Sequence, residues 1–150
     1  MSRIVAKFGG TSLADAKQFK KVRAILESDK KRTLVVPSAP GKRVPTDAKL
    51  TDLLYLCQDS AAVGADFTGP FGQVKERFLE IERELGIQAG MAGHLDKLAQ
   101  ALKDGVTRDY VASRGEYLNG VLRAAYRGAE FVDPGHFIVM APNASVDPEI

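Results

Sequence analysis

The chain has 150 residues, 45% of them hydrophobic and 27% charged, the balance of a globular domain rather than a disordered segment. Lysine and arginine number 21 against 19 aspartate and glutamate, a net charge of +2 that gives no electrostatic reason to expect a nucleic-acid partner. One cysteine, Cys57, makes no internal disulfide and points to a reducing compartment, and the isolated His94 and His136 lack metal-ligand spacing.

The N-terminal MSRIVAKF has no long apolar segment. Neither a signal peptide nor a membrane span is expected there, and the protein is expected in the cytoplasm. Ile4 to Phe8 reads as a short buried strand that runs directly into Gly9-Gly10. From Asp15 to Ser28, Phe19, Val22, Ile25 and Leu26 recur at helical spacing. Lys20, Lys21, Arg23, Lys30, Lys31 and Arg32 crowd this helix and its exit, and fit a solvated face better than a polyanion site. A second strand, Thr33 to Pro37, stops at a proline that cannot donate to a ladder. Gly41 to Lys49 is polar and reads as a loop.

Helical patterns then dominate. Leu50, Leu53, Leu54 and Cys57 form one stripe, in which Cys57 reads as a small buried hydrophobe. Phe71, Val74, Phe78, Ile81 and Leu85 form the next, closed by Gly86. Leu95, Leu98 and Leu102 precede Gly105, and a last helix from Tyr110 to Arg127 precedes Gly128. EFVD near Glu130 and HFIVM near Phe137 read as late strands. The order predicts a layered α/β fold with a largely parallel open sheet.

The stretch AKFGGTS, Ala6 to Ser12, concentrates the chemistry. Gly9 and Gly10 lie where a strand's C-terminal end meets a helix, the usual ligand edge of an open α/β sheet. Glycines there let backbone N–H groups approach an anion, and the helix N-terminus adds partial positive charge. Thr11 and Ser12 can donate hydroxyl hydrogen bonds to the same anion, and Lys7 is placed to neutralise charge on a transferring phosphoryl group. The order differs from a P-loop, in which the lysine follows the glycines. On local chemistry alone, a phosphate site stands level with a plain glycine turn beside a surface lysine, its hydroxyls capping the helix.

Three stretches occur in order between Val5 and Leu122: VAKFGGTSLAD, then VVPSAPGKR with the later LTDLLYL, then SRGEYLNGVL. Together they resemble the aspartate kinases of the amino acid kinase superfamily. The first is similar to that family's N-terminal signature. The second is similar to its Val-Val-x-Ser-Ala segment and the Thr-Asp/Asn-x-Leu that follows, and the third to its Ser-x-Gly-Glu helix start. The resemblance implies a three-layer sandwich, of which residues 1–150 would be the N-terminal, substrate- and phosphate-binding part.

It also implies a reaction: transfer of the γ-phosphoryl group of ATP, as its Mg2+ complex, to the β-carboxylate of L-aspartate, at the head of lysine, threonine and methionine synthesis. By the same resemblance Lys7 would steady the phosphoryl group in transit, and Gly9, Gly10, Thr11 and Ser12 would bind the phosphate chain. Ser38 would meet phosphate or substrate, Thr51 would help hold aspartate, and Glu116 would accept hydrogen bonds from its α-ammonium. Without the resemblance Glu116 reads as a solvent-facing glutamate in a helix's first turns.

The chain departs from the family pattern in Pro37 and Pro40, which restrict the backbone around Ser38, and in Asn119, where relatives often carry Ser or Thr. The loop from Gly41 to Leu50 is longer than in many relatives and holds a second Thr-Asp at Thr46-Asp47; Thr51-Asp52 is aligned because Leu53-Leu54 follows. The family's nucleotide-binding half and ACT domains have no counterpart before Ile150, so the isolated chain is expected to be inactive. A homo-oligomer is expected, with self-association through an unpaired strand edge near Phe137 to Met140. A glutamate 5-kinase or acetylglutamate kinase would share the glycine-rich start but not the joint KFGGTS and SRGE pair. The alternative of another class is a non-catalytic substrate-half fragment.

Overall fold

The computed structural model describes residues 2–143 and 145–147. β1 (Ile4–Phe8) and β2 (Arg32–Pro37) form a two-stranded parallel sheet connected through α1 (Ala16–Glu27). Lys7 stands opposite Val36 and Phe8 opposite Pro37. A 3-10 turn, Gly10–Leu13, separates β1 from α1. Four helices follow: α2 (Leu50–Ala62), α3 (Thr68–Leu85), α4 (Met91–Asp104) and α5 (Arg108–Arg127). α2 packs on α3 and α5, α4 lies against both of those, and α5 also meets β2.

Local signals account for most helix boundaries. Asp15 caps α1, its Oδ1 accepting from the Gln18 N–H at 2.9 Å, and Thr107 caps α5 by accepting from the Tyr110 N–H at 3.2 Å. α3, α4 and α5 stop at Gly86, Gly105 and Gly128, whose φ values of 64°, 90° and 69° lie in the left-handed region that favours glycine.

The apolar stripes are the core. Leu50, Leu53, Leu54 and Cys57 of α2 are buried, as are Phe71, Val74, Phe78 and Ile81 of α3 and Leu95, Leu98 and Leu102 of α4. Burial pushes the Cys57 thiol up to about 11, which keeps it protonated at neutral pH and bears out its reading as a small apolar residue. In α1, Phe19, Val22 and Leu26 are buried but Ile25 is exposed. Ile25 sits about a quarter-turn around the helix from the centre of that stripe, toward solvent.

The sheet also differs from expectation. Ala6, Phe8 and Val35 pack against the core, whereas Val5 (60%), Leu34 (50%) and Val36 (50%) are exposed. Helices cover one face of the strand pair, so each strand is half-buried rather than buried. EFVD and HFIVM form no strands. Phe131 instead packs on α5, edge-on to Tyr117 with ring centroids 5.2 Å apart, and fills the space over Gly120, where a Cβ would stand 2.7 Å from it. Pro134–His136 forms a short 3-10 turn, and Met140 makes an isolated antiparallel bridge to Val146. Commitment of Phe131 to α5, followed by Pro134-Gly135, takes this segment out of strand geometry. The architecture is mixed α/β with a small parallel sheet and a mainly helical core. The wider sheet of a three-layer sandwich is not among the described residues, and none of their helices is long and apolar enough to cross a membrane.

Candidate functional site

The C-terminal ends of β1 and β2 lead into two glycine-containing loops that cross. The Gly41 N–H donates to the Gly10 carbonyl at 2.8 Å. A Cβ on Gly41 would lie 2.5 Å from the Gly10 carbonyl carbon and 2.6 Å from the Thr11 nitrogen, so any side chain would collide with backbone. Gly10 is nearly as confined, with a Cβ falling 3.0 Å from the Ala39 carbonyl oxygen. Gly9 is extended (φ −76°, ψ 168°) and heads the 3-10 turn, whose first N–H groups have no partner within it. Gly9, Thr11 and Ser12 are exposed. So is Lys7, which alternates with the inward Ala6 and Phe8 and makes no ion pair among the described residues.

A second convergence lies beside the first. Gly115 of α5, Ala39 and Leu50 meet: a Cβ on Gly115 would lie 2.9 Å from the Ala39 Cβ and 3.6 Å from the Leu50 Cδ2. Each of the three is the chain neighbour of an expected site residue, namely Glu116, Ser38 and Thr51. Asn119, one turn further along α5 and fully buried, donates from Nδ2 to the Ser38 carbonyl at 2.6 Å. Ser38 in turn donates its N–H to the Phe8 carbonyl at 3.0 Å, continuing the strand pairing past Pro37. The structure therefore brings Lys7, Gly9, Gly10, Thr11, Ser12, Ser38, Thr51 and Glu116 to one end of the sheet. Contacts of their neighbours, not of these side chains with each other, assemble them. The Thr11, Ser12, Ser38 and Thr51 hydroxyls and the exposed Glu116 carboxylate are unengaged among the described residues.

The loop after Gly41 is pinned to α3. Arg43 donates to Asp47 from its backbone N–H (2.7 Å) and Nε (3.0 Å), and to Glu80 from Nη1 (2.7 Å). These hydrogen bonds from Arg43 hold the Asp47 carboxyl well below the usual carboxylate range. Buried Arg77 of α3 donates from Nη2 to the Gly41 carbonyl. Sequence reasoning passed over Gly41 and Arg77 as site residues. The available signal for Arg77 was its position between Val74 and Phe78 on a buried stripe, where an arginine is rare unless it has partners.

A separate cavity lies to one side. A cleft of about 700 Å³ runs between Thr33–Pro37 of β2, α5 and residues 129–135. Glu116 lines it, but the Gly9–Ser12 turn does not, and Leu34, Val36, Tyr117 and Phe131 make much of its wall apolar. The donors at the turn are amides, hydroxyls and one ammonium, a set that suits an anion. No group of three or more His, Cys, Asp or Glu side chains gathers as a metal site among the described residues.

A parallel strand pair that carries a glycine turn, a lysine and unengaged hydroxyls at its C-terminal end has the make-up of an anion-binding α/β protein. No protein-family model matches the chain. It is 38% identical over 160 aligned positions to Aspartokinase 3 of Bacillus subtilis, a match that covers 97% of this chain and 35% of that relative. The crystal structure of Clostridium acetobutylicum aspartate kinase superposes with a TM-score of 0.94 at 46% identity, over 98% of this chain and 34% of that one. E. coli aspartokinase III, solved with aspartate and ADP, shares the fold at 22% identity with a TM-score of 0.62, over 83% of this chain and 28% of its own. The chain is thus a relative of the aspartate kinases, and spans about a third of the length of those it matches. The glutamate 5-kinase and acetylglutamate kinase alternatives are not favoured by these likenesses.

Proposed function

We propose that this chain is the substrate- and phosphate-binding part of an aspartate kinase catalytic domain, in an enzyme that phosphorylates the β-carboxylate of L-aspartate with ATP. The observation that carries the reading is the convergence of Lys7, the Gly9–Ser12 turn, Ser38, Thr51 and Glu116 at one end of the β1–β2 pair. The likeness to the Clostridium enzyme across 98% of the chain supports the choice of reaction.

In this reading the turn amides and the Thr11 and Ser12 hydroxyls hold the phosphate chain. The Lys7 ammonium offsets the charge on the phosphoryl group as it passes in line from nucleotide to carboxylate. Glu116 receives the substrate α-ammonium, and the Ser38 and Thr51 hydroxyls donate to substrate or phosphate oxygens. The carboxylate is itself the nucleophile and needs no strong general base, so catalysis consists of positioning and charge neutralisation. Magnesium would be held by the nucleotide phosphates, where it would offset part of their charge. The same reading makes the protein cytoplasmic and homo-oligomeric.

The test joins residues 1–150 to the remainder of the Clostridium aspartate kinase and traps aspartyl phosphate as its hydroxamate. We expect turnover with ATP and L-aspartate. Lys7→Ala should lower kcat by on the order of 10²–10³-fold while the KM for ATP changes less, the signature of an interaction made mainly in the transition state. Near-normal turnover of Lys7→Ala would remove the role given to Lys7. A chimaera that folds but prefers L-glutamate would overturn the substrate.

A further inference from the structure

We propose that Arg77 is a positioning residue for the glycine turn: from inside α3 it holds Gly41, and through Gly41 the Gly10–Thr11 backbone. The inference rests on the reading of that turn as a phosphate site.

Arg77 is 4% exposed and occupies a helix position among Val74, Phe78 and Ile81. Burying a guanidinium is costly unless its donors are used. Its Nη2 donates to the Gly41 carbonyl, its Nη1 stands 3.9 Å from Asp47, and its Nε has no partner. Two observations separate this from an ordinary ion pair. Asp47 is already occupied by Arg43, through the backbone N–H at 2.7 Å, Nε at 3.0 Å and Nη2 at 3.1 Å. The hydrogen bond that Arg77 does make goes to backbone, at a residue where no side chain is tolerated.

The cations of the neighbourhood are also fully matched, with Arg43 and Arg77 facing Asp47 and Glu80 and a third carboxylate, Asp15, beyond. The neighbourhood has no surplus cation with which to attract a free anion, so its product is placement of the loop. Gly41 is bonded on both sides, its N–H to Gly10 at 2.8 Å and its carbonyl by Arg77. A chain of hydrogen bonds thus runs from the helical core to the turn. A glycine-on-glycine crossing has no side chains to interlock, so these bonds are what can hold the turn to the roughly 0.5 Å that a binding site requires.

The test uses hydrogen exchange and amide chemical shifts of this chain. Arg77→Met removes the clamp, and Arg77→Lys keeps the charge without the planar fork and serves if Arg77→Met does not fold. Val74→Ala is the control, removing buried volume from the same helix without touching Gly41. We expect Arg77→Met to lose at least tenfold more protection at the Gly41 amide than at core amides such as Leu54 and Phe78, with Arg77→Lys in between. Val74→Ala should lower both sets together. Pyrophosphate should shift the Gly9–Ser12 amides of the wild type, and Arg77→Met should weaken that binding tenfold or more. Equal loss at Gly41 and core amides, or undiminished pyrophosphate binding in Arg77→Met, would overturn the role of Arg77. If pyrophosphate leaves the wild-type turn unshifted, the phosphate reading fails, and the exchange result alone decides whether Arg77 clamps Gly41.

Discussion

At Gly115 the absent Cβ is what lets α5 approach the loop that carries Ser38, since that atom would stand 2.9 Å from the Ala39 Cβ. Gly115→Ala should therefore cost about 1–3 kcal/mol, the usual penalty for overpacking a filled site, read from denaturant unfolding. In the chimaera it should also raise the KM for aspartate, because Glu116 and Ser38 are pushed apart. Glu116→Gln keeps the shape and removes the charge. If Glu116 meets the substrate ammonium, the loss of a charged hydrogen bond worth about 1.5–3 kcal/mol should raise the KM for aspartate roughly 10- to 150-fold and leave the KM for ATP nearly unchanged. Equal use of succinate and aspartate by the unmodified chimaera would sink that assignment.

Among the elements, α1 depends on its cap. Asp15→Ala removes the acceptor for the Gln18 N–H and should cost about 1 kcal/mol, seen as a lower thermal midpoint. The loop from Gly41 to Lys49 depends on charge instead, because Arg43, Asp47 and Glu80 fasten it to α3. The Asp47 carboxyl titrates lower in the folded chain than in the unfolded one. Its contribution is then complete above the unfolded value of about 3.9 and is lost as pH falls from there toward the folded value. The stability gap between wild type and Asp47→Asn should accordingly be larger at pH 6 than at pH 3 in denaturant titrations. A gap that widens on acidification would contradict the pairing.

For the whole molecule, the decisive surface is the face of the sheet that no helix covers. Val5, Leu34 and Val36 are exposed there, Val132 is an exposed part of the cleft wall, and among the described residues β2 pairs on one side only. The self-association expected from a strand near Phe137 to Met140 shifts to this edge, since that strand is not formed. An unpaired strand beside exposed apolar residues invites a second chain. Sedimentation of the chain should show concentration-dependent association, and the double change Leu34→Lys with Val36→Lys should abolish it. A wild-type monomer at every concentration would argue that the edge is inert.

Sequence by itself determined what depends on near neighbours. The stripes through Leu50–Cys57 and Phe71–Ile81, the cap at Asp15 and the stops at Gly86, Gly105 and Gly128 are all set within a turn or two of helix, and KFGGTS lies on the strand end where it was expected. Tertiary structure decided what depends on distant partners. It exposed one face of both strands and turned Phe131 toward Gly120 instead of into a strand. It also joined Arg77 to Gly41 across 36 residues and Asn119 to Ser38 across 81. Periodicity records which face of an element is apolar. It does not record which backbone carbonyl a buried donor will find, because that partner is brought near only when the helices pack.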